Sequence, residues 1–447
     1  METRVQLAQA MQSMRTFLSR YYGVILCVVI VAVGMYLRFW SIGNLAEYGF
    51  DQVRDAWKVR DILNGQIILD GPRTGVGDFR IGPLWYYYLT PFFWYTGRDP
   101  IASTYANVLV NLFNFIALYW VSSRIFGRPT AIVSVFILAF SRYLMGVTST
   151  PWNVSPIIGV SVVIFYGLHR VVIDGSRRWI PALAALAGLF FHLHAAFVFV
   201  VAIIAASLCM APKRKEVFKI GLLSLPLFLI WFVPTLLFNL GQVNDVGRFG
   251  EFMSANIISG FHPRIMARQV IEAFTQWQTI WGWGNAYREA RIIIPVIFGI
   301  VTYLDKNEYN RRLNILLGLW FVVPAALYAL YTGPTSEYYM LLNAPMVVWI
   351  LMLLVQRLAQ LGGLWGQRTA VAVVSMALMW FALTQCHDIW IKPTYAGYWK
   401  QRDWAIDRVV RVQEPVAFSE GDLSSYVYAL YHEDKIILAP TRPGPPE

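Results

Sequence analysis

Long apolar runs separated by short polar segments constrain the fold of this 447-residue chain more than any other feature. A helix that crosses a bilayer needs about 20 mostly apolar residues. Only 14% of the residues are charged, whereas soluble domains carry about 25%. The sequence therefore predicts an all-α polytopic membrane protein with about eleven transmembrane helices. The predicted spans are 21–40, 102–121, 131–147, 156–173, 180–193, 195–211, 219–240, 291–304, 313–331, 339–356 and 369–387.

The distribution of charge between these runs predicts the orientation of the chain. With the N-terminus inside, the inner segments and the boundary residue Lys219 hold 17 Lys or Arg against 5 Asp or Glu, so 21 of the 26 acidic residues face out. Basic inner loops are typical of membrane proteins. The net charge of +11 is therefore a topology signal, and no nucleic-acid partner is expected. We expect a multi-pass protein of the plasma (inner) membrane with a cytoplasmic N-terminus and with its active site and C-terminus facing the outside or periplasm.

Three predicted outer segments are long enough to carry function. Residues 1–387 form the predicted transmembrane domain, in which 41–101 is a first outer loop with interfacial helices and 241–290 is a second outer loop. Residues 388–447 form a small outer C-terminal domain. This tail combines the strand-like runs "PVAFS" and "KIILAP" with a helical segment at 423–431, which predicts a small α/β cap.

The stretch "FDQVRDAWKVRDIL" has the periodicity of an amphipathic helix, with Val53 and Trp57 on its apolar side. We expect this helix to lie in the outer interface with Trp57 towards lipid. Asp51 stands at its start, and two roles are open for that carboxylate. One role is an N-cap of the helix. The other is a general base at an outward-facing cavity, where arginines hold an anionic leaving group, and the two roles do not exclude each other.

A turn-rich loop, "ILDGPRTGVGDFRIGP", follows this helix and leads into the aromatic segment "LWYYYLTPFFW". Arg73 and Arg80 flank the turn, and Tyr86 and Tyr87 begin the aromatic segment. Guanidinium groups and helix N-termini bind phosphate well. The loop is therefore a candidate phosphate site.

Several motifs occur here in the order and spacing of one family. They are "FDQVRDA" after the first span, "GPLWYYYLTPFFW", the inner "SRIFGR", the outer "STPWNVSP", "FHLHAAF" and the late "SEYYMLLNAP". On these motifs the chain resembles the GT-C superfamily of lipid-linked glycosyltransferases, in the group of protein O-mannosyltransferases and aminoarabinose transferases. The similarity is strongest over residues 21–200 and extends over about three quarters of the chain.

The resemblance implies a GT-C fold and an inverting glycosyltransferase. Such an enzyme moves a sugar from a polyprenyl-phosphate donor to a lipid, glycan or protein acceptor at the outer face. The family's catalytic carboxylate maps onto Asp51. The group often has Asp-Glu there, whereas this chain has Asp51-Gln52, so Asp55 is the second catalytic candidate. The family's phosphate-binding base is displaced by one position here, which leaves Arg80 as the best candidate.

The candidate site residues then form two groups. The phosphate candidates are Arg54, Arg73, Arg80, Arg288 and Arg291, and the sugar or acceptor candidates are Tyr86, Tyr87, Trp152, Asn153, His194, Glu337 and Tyr339. For most of them the structural alternative is a core hydrogen bond or a place in the interfacial aromatic belt. No cofactor is implied, and a divalent metal stays open although no metal-ligand spacing is present.

The alternative function is a polytopic lipid or glycan transporter or flippase without transferase activity. Such a protein would place ionisable residues along a path through the membrane. In this chain they concentrate in the predicted outer loops, which favours the enzyme.

Overall fold

The computed structural model describes residues 21, 23–39, 49–74, 80–240, 254, 262–275, 290–333, 337–391, 398–411 and 423–434. Within these ranges the regular structure is helical, and the one β-type pairing is an isolated antiparallel bridge between Arg73 and Arg80. The helices are α1 (Gly23–Phe39), α2 (Phe50–Leu63), α3 (Leu84–Tyr95), α4 (Ala102–Ile125), α5 (Arg128–Phe140), α6 (Arg142–Ser149), α7 (Ile157–Val172), α8 (Trp179–Phe191), α9 (Phe197–Leu208), α10 (Arg214–Leu223), α11 (Leu225–Leu229), α12 (Val233–Leu240), α13 (Pro263–Thr275), α14 (Ala290–Leu304), α15 (Glu308–Tyr328), α16 (Ala344–Leu361), α17 (Gly363–Ile391), α18 (Tyr398–Arg411) and α19 (Leu423–Tyr428). Short 3₁₀ segments join α11 to α12 and precede α16, and a π turn follows α19.

Each of the eleven predicted spans coincides with a helix or a helix pair, which confirms the all-α membrane architecture. Among the described residues, four helices are long and apolar enough to cross a bilayer, and two bent pairs bring the number to six. These pairs are α5 with α6, bent by 68°, and α10 with the segment Leu225–Asn239, bent by 46°. Five further apolar helices have 10–17 residues, so the number of eleven crossings stays a prediction.

Large aromatic side chains fill the centre of the helix bundle. Phe165 of α7 lies 4.9 Å from Trp349 of α16 and 6.2 Å from Trp320 of α15, measured between ring centroids. The indole N–H of Trp349 donates to Ser122 Oγ at 2.8 Å. All three rings are fully buried, so this cluster joins α4, α7, α15 and α16 into one core.

Arg38 stabilises the sharp bend between α5 and α6. A helix leaves its last carbonyls without an intrahelical partner, and Arg38 Nη2 donates to Leu138 O at 2.5 Å and Nη1 to Ala139 O at 3.4 Å. Its Nε donates to Asn111 Oδ1 at 2.9 Å and Thr148 Oγ1 at 3.0 Å. The buried guanidinium, which is only 2% exposed, therefore caps α5 and links both α5 and α6 to α4.

The apolar face of α2 packs against protein. Val53, Ala56 and Val59 are fully buried in a cluster with side chains of α3, α18 and α19. Trp57 packs edge-to-face on Tyr426 of α19, with the ring centroids 5.4 Å apart. The prediction that Trp57 faces lipid was therefore wrong, because C-terminal helices remote in sequence cover this side of α2.

Ion pairs join the C-terminal segment to α2 and to the turn after α3. Arg60 Nε donates to Asp434 Oδ2 at 2.9 Å, and Arg98 Nη1 donates to the same oxygen at 3.1 Å. The helix predicted over 423–431 is confirmed as α19 and its π turn. The predicted strands "PVAFS" and "KIILAP" lie outside the described residues, so the α/β character of the cap stays a prediction.

Candidate active site

Gln52 caps the N-terminus of α2. Gly49 is the N-cap residue, and its backbone N–H donates to Gln52 Oε1 at 2.9 Å, because the longer amide side chain reaches back from the third helical position. Gln52 Nε2 also donates to Pro151 O at 3.5 Å, which ties α2 to the loop before α7. Asp51 makes no capping hydrogen bond, so the N-cap interpretation of Asp51 was wrong. Its carboxylate is left for another role.

Arg54 holds both candidate catalytic acids. Its Nη1 donates to Asp51 Oδ1 at 2.6 Å, and its Nη2 and Nε donate to Asp55 Oδ1 at 2.7 and 3.0 Å. The other oxygen of Asp55 accepts from the indole N–H of Trp85 at 2.9 Å. The side chain of Asp51 is 47% exposed, whereas that of Asp55 is 2% exposed. Asp51 is therefore the acid that a substrate can reach.

The environment of Asp55 perturbs its titration. Burial raises the pKa of Asp55 to about 6, against the smaller lowering by Arg54. Tyr86 of α3 is fully buried in the same region, and burial together with the Asp55 carboxylate raises the pKa of its hydroxyl. Both groups are buried and interact electrostatically with Arg54.

A second group of charges lies at the turn between α2 and α3. The Asp70 carboxylate accepts from Lys58 Nζ at 3.3 Å through Oδ1 and at 3.5 Å through Oδ2, and Oδ2 also accepts from Arg80 Nη1. Asp70 is 5% exposed, whereas Lys58 and Arg80 are 30% and 16% exposed. The Arg80 guanidinium also lies 4.9 Å from the ring centroid of Phe238. Arg73, paired with Arg80 across the turn, is exposed.

The sequence analysis did not single out Lys58 or Asp70. Lys58 follows Arg54 by four residues on α2, so the helical period places the two on one face. That spacing was available from the sequence. The pairing of Asp70 with Lys58 was not, because it depends on how the turn folds back.

Two glycines allow the turn to approach its neighbours closely. A Cβ on Gly71 would lie 2.2 Å from Gly82 O, and a Cβ on Gly82 would lie 2.1 Å from Nδ1 of His192. That imidazole accepts from Leu84 N at 3.2 Å and, at its other nitrogen, lies 2.7 Å from Trp231 O. The close approach of His192 to Gly82 leaves no room for a side chain at this position.

Replacing Gly82 with Ala should therefore destabilise the protein by about 1–3 kcal/mol, the usual effect of overpacking, and displace Arg80. The measurement is thermal unfolding of the purified variant in detergent, with Gly146→Ala as the control because a Cβ at Gly146 meets no atom within 4 Å. Equal stability of the two variants would contradict the close contact with His192.

The structure brings three of the predicted sugar or acceptor residues into one aromatic group. The ring of His194 lies 5.6 Å from that of Tyr338 and 5.1 Å from that of Tyr339, and Tyr338 lies 5.1 Å from Trp152. Asn153, next to Trp152, donates to the backbone carbonyl of Leu193. His192 and His194 thus make separate contacts.

Other predicted residues have different surroundings. The Tyr87 hydroxyl donates to Ile68 O at 2.9 Å and accepts from Ile68 N at 3.0 Å, so it fastens the segment after α2. Arg288 lies outside the described residues, and the side chains of Arg291 and Glu337 are not described. In the part of the chain that the structure describes, no three His, Cys, Asp or Glu side chains are grouped to hold a metal ion.

The fold is shared with solved structures of two enzymes. ArnT from Cupriavidus metallidurans bound to undecaprenyl phosphate matches with a TM-score of 0.54 at 14% identity, over 90% of this chain and 74% of that one. The oligosaccharyltransferase AglB from Archaeoglobus fulgidus, in complex with an inhibitory peptide and a dolichol-phosphate, matches with a TM-score of 0.55 at 12% identity, over 91% of this chain and 61% of that one. The Archaeoglobus fulgidus oligosaccharyltransferase in complex with Zn and sulfate matches with a TM-score of 0.51 at 11% identity. The match covers 93% of this chain and 57% of that one.

The chain therefore spans less than two thirds of the oligosaccharyltransferase and about three quarters of ArnT. No family model and no curated protein sequence matches it. At these identities the comparison shows the fold, which is the GT-C fold that the sequence motifs predict.

Proposed function

We propose that this GT-C chain is an inverting membrane glycosyltransferase that moves a sugar from a polyprenyl-phosphate donor to an acceptor at the outer face of the plasma membrane. One observation carries the proposal. Asp51 is an exposed carboxylate fixed by Arg54, and the cations Lys58 and Arg80 follow on the same helix and the adjoining turn. The lipid phosphates bound by ArnT and AglB are in keeping with such a donor. The acceptor is a hydroxyl or amine on a lipid, glycan or protein.

Asp51 is the proposed general base. Its carboxylate takes the proton of the acceptor as the acceptor atom attacks the anomeric carbon of the donor sugar. The bond between that carbon and the phosphate oxygen breaks, and the lipid phosphate leaves with the electron pair. This single displacement inverts the anomeric centre.

Arg54 and Asp55 hold the base in its working position. Arg54 gives N–H groups to both acids, and Asp55 is fixed in turn by Arg54 and by Trp85. Both oxygens of Asp55 already accept hydrogen bonds, and the side chain is buried. We therefore assign the catalytic role to Asp51 and a positioning role to Arg54, Asp55 and Trp85.

Lys58, Arg73 and Arg80 form the proposed phosphate site. Cations beside the departing oxygen stabilise the charge that develops there. Arg288 and Arg291 stay predicted contributors to the same function. The aromatic group around His194, with Trp152 and Tyr339, is the proposed wall of the sugar or acceptor site, since Gln52 joins its loop to α2. Tyr86, Tyr87, Asn153 and Glu337 stay candidates of lower rank.

The titration of Asp55 predicts how activity depends on pH. Below about pH 6 the buried carboxyl is protonated, and its attraction for Arg54 weakens, so the wild-type rate should fall with a midpoint near 6. Asp55→Asn carries a neutral side chain at every pH. It should show about tenfold lower activity at pH 7.5 and should lose this acid limb. Rate profiles between pH 5 and 8 test this, and the same limb in both proteins would contradict it.

The free energy of unfolding should also depend on the ionisation of Asp55. The folded state binds a proton on Asp55 more tightly than the unfolded chain does, so this contribution to stability is present at low pH. It is lost as the pH rises through the folded pKa of about 6.

The proposed reaction is tested with purified wild-type protein in nanodiscs, where there is no second compartment for translocation. The protein is incubated with a panel of polyprenyl-phosphate sugars, and free polyprenyl phosphate is measured by mass spectrometry. We expect release with at least one donor. Absence of release with every donor, together with movement of the lipid across proteoliposome membranes, would overturn the proposal in favour of a transporter.

A further inference from the structure

An apolar cavity of about 300 Å³ lies between α14, α15 and α16. Its wall is mostly aliphatic and aromatic, with Phe298 from α14, Leu319 from α15 and Val347 from α16. Pockets that bind small molecules have volumes of about 300–1,000 Å³, so this space is large enough to hold part of a ligand. The residues of its wall are separate from those proposed for the reaction.

The open side of the cavity is apolar. Ile315 and Val322 line the cavity and are exposed, and the neighbouring Val296 and Ile300 of α14 are exposed too. Exposed aliphatic side chains within a predicted span face the hydrocarbon of the bilayer. A lipid chain can therefore enter the cavity directly from the membrane.

Asn314 of α15 is the exception in this wall. It lines the cavity and is 5% exposed, and its amide makes no hydrogen bond with the residues that the structure describes. The hydroxyl of Thr302, the other polar side chain of the wall, already donates to Phe298 O at 2.7 Å. An amide offers two N–H donors, and leaving it unpaired away from water costs free energy. We therefore expect the occupant of the cavity to bring a hydrogen-bond acceptor to Asn314.

The position of Asn314 along α15 fits the depth of lipid ester groups. Arg312, two residues earlier, is the last charged residue before the apolar part of the helix. Two residues rise about 3 Å along a helix, and helical side chains point back towards the helix N-terminus. The Asn314 amide thus lies at the boundary between headgroups and hydrocarbon, where the ester carbonyls of glycerolipids are.

Two glycines make room beside this amide. Gly299 of α14 and Gly318 of α15 line the cavity, and a Cβ at either position would meet no atom within 4 Å. Close packing of the helices therefore does not require glycine at these positions, and glycine weakens a helix relative to alanine. What the two residues provide is open space along neighbouring helices, which suits an extended hydrocarbon chain.

The polar and apolar parts of the wall distinguish between classes of lipid. A polyprenyl chain is hydrocarbon beyond its phosphate, so it would leave Asn314 unpaired. An ester-linked acyl chain has a carbonyl acceptor at one end and hydrocarbon behind it. It therefore matches an amide at the membrane boundary with an apolar cavity beyond.

We propose that this cavity binds one acyl chain of an ester-linked membrane lipid. The Asn314 amide donates to the ester carbonyl, and the chain lies along Gly299 and Gly318. The bound chain fills the space between α14, α15 and α16 and stabilises their packing, because a ligand that binds the folded state shifts the equilibrium towards it. The lipid site does not depend on the proposed reaction.

The role of Asn314 is tested with two lipids that differ only in their linkages. Dipalmitoyl phosphatidylcholine has ester-linked chains, and dihexadecyl phosphatidylcholine has ether links in their place. Native mass spectrometry of the full chain in detergent measures the dissociation constant of the first bound lipid. We expect wild type to bind the ester lipid about fivefold more tightly than the ether lipid, and Asn314→Leu to bind both equally. Equal binding of the two lipids by wild type would overturn the proposal.

The role of the cavity is tested with Gly318→Leu, whose side chain fills it. This variant should bind the ester lipid at least about tenfold more weakly, whereas the control Gly221→Leu should bind it as wild type does. A Cβ at Gly221 of α10 also meets no atom within 4 Å, but Gly221 does not line the cavity. Unchanged lipid binding in Gly318→Leu would contradict the proposed site.

Thermal unfolding separates the loss of a lipid site from damage to the fold. Without lipid, Gly318→Leu should unfold at no lower temperature than wild type, since leucine is a better helix former than glycine. Added ester lipid should raise the unfolding temperature of wild type and Gly221→Leu but not that of Gly318→Leu. An equal rise in all three proteins would overturn the proposal.

Undecaprenyl phosphate is the third probe, because a polyprenyl chain is the alternative occupant. It should bind wild type and Gly318→Leu with equal affinity, since the cavity is not its site. Weaker binding of undecaprenyl phosphate to Gly318→Leu, with binding of the ester lipid unchanged, would assign the cavity to the polyprenyl chain and refute the acyl-lipid site. Neither outcome requires turnover, so the result is independent of the proposed reaction.

Discussion

Replacing Asp51 with Asn should lower the rate of sugar transfer at saturating donor at least about 100-fold, because a general base contributes 10²–10⁴-fold to such a reaction. The amide keeps the size of the side chain, and it can still contact Arg54 through its oxygen. Donor binding should therefore change little, so the loss should appear in kcat. The measurement is the steady-state rate of lipid-phosphate release at several donor concentrations.

Asp61→Asn is the matched control for this variant. Asp61 lies on the same helix ten residues later and takes no part in the ion pairs around Arg54. It should retain nearly full activity. Equal rates in wild type and Asp51→Asn would remove Asp51 from the chemistry, and a loss confined to Asp55→Asn would move the base to that residue.

Replacing Arg38 with Met should lower the stability of the protein by about 3 kcal/mol. The guanidinium is buried and donates to carbonyls of α1 and α5 and to side chains of α4 and α6. Methionine fills similar space but donates no hydrogen bond, so the carbonyls at the end of α5 lose their partner. Each buried group left without a partner costs about 1–3 kcal/mol.

Thermal unfolding in detergent measures this effect. The control is Arg128→Met, which removes an exposed arginine at the other end of α5. An equal loss of stability in both variants would show that the effect does not come from the buried hydrogen bonds of Arg38. An Arg38→Met protein as stable as wild type would contradict the capping role of Arg38.

The positions of the helices followed from the sequence, because a bilayer demands long apolar runs and every such run became a helix or helix pair. The bend at Ser141 could not be predicted from the sequence. The run 131–147 is apolar apart from Ser134, Ser141 and Arg142. The carbonyls at its break are bound by Arg38, which arrives from a helix about a hundred residues earlier. Apolar periodicity contains no information about such a partner.

The candidate site was predicted in part. The sequence predicted Asp51 and Asp55 as catalytic candidates and Arg54 as a phosphate candidate, and the hydrogen bonds of Arg54 bring the three side chains together. The sequence did not distinguish the two acids, because their difference is burial under Trp85 of the next helix. Asp70 was missed for a similar reason, as it gains its partners only when the turn folds over α2.

The interfacial helix shows the limit of pattern analysis most directly. The apolar face of α2 was predicted correctly. The sequence pattern does not show, however, whether lipid or another part of the protein covers that face. Lipid was expected at Trp57, whereas Tyr426 from the C-terminal segment lies there. The pairing of Arg60 and Arg98 with Asp434 draws that segment over α2.

The anomeric configuration of the product tests the central claim, that Asp51 acts as a base in a single displacement. A donor of known configuration is incubated with the wild-type protein and an acceptor, and the linkage formed is determined by NMR. The account predicts inversion, since the acceptor attacks from the side opposite the lipid phosphate. Retention would contradict it, because it requires a nucleophile on the protein and a covalent glycosyl intermediate.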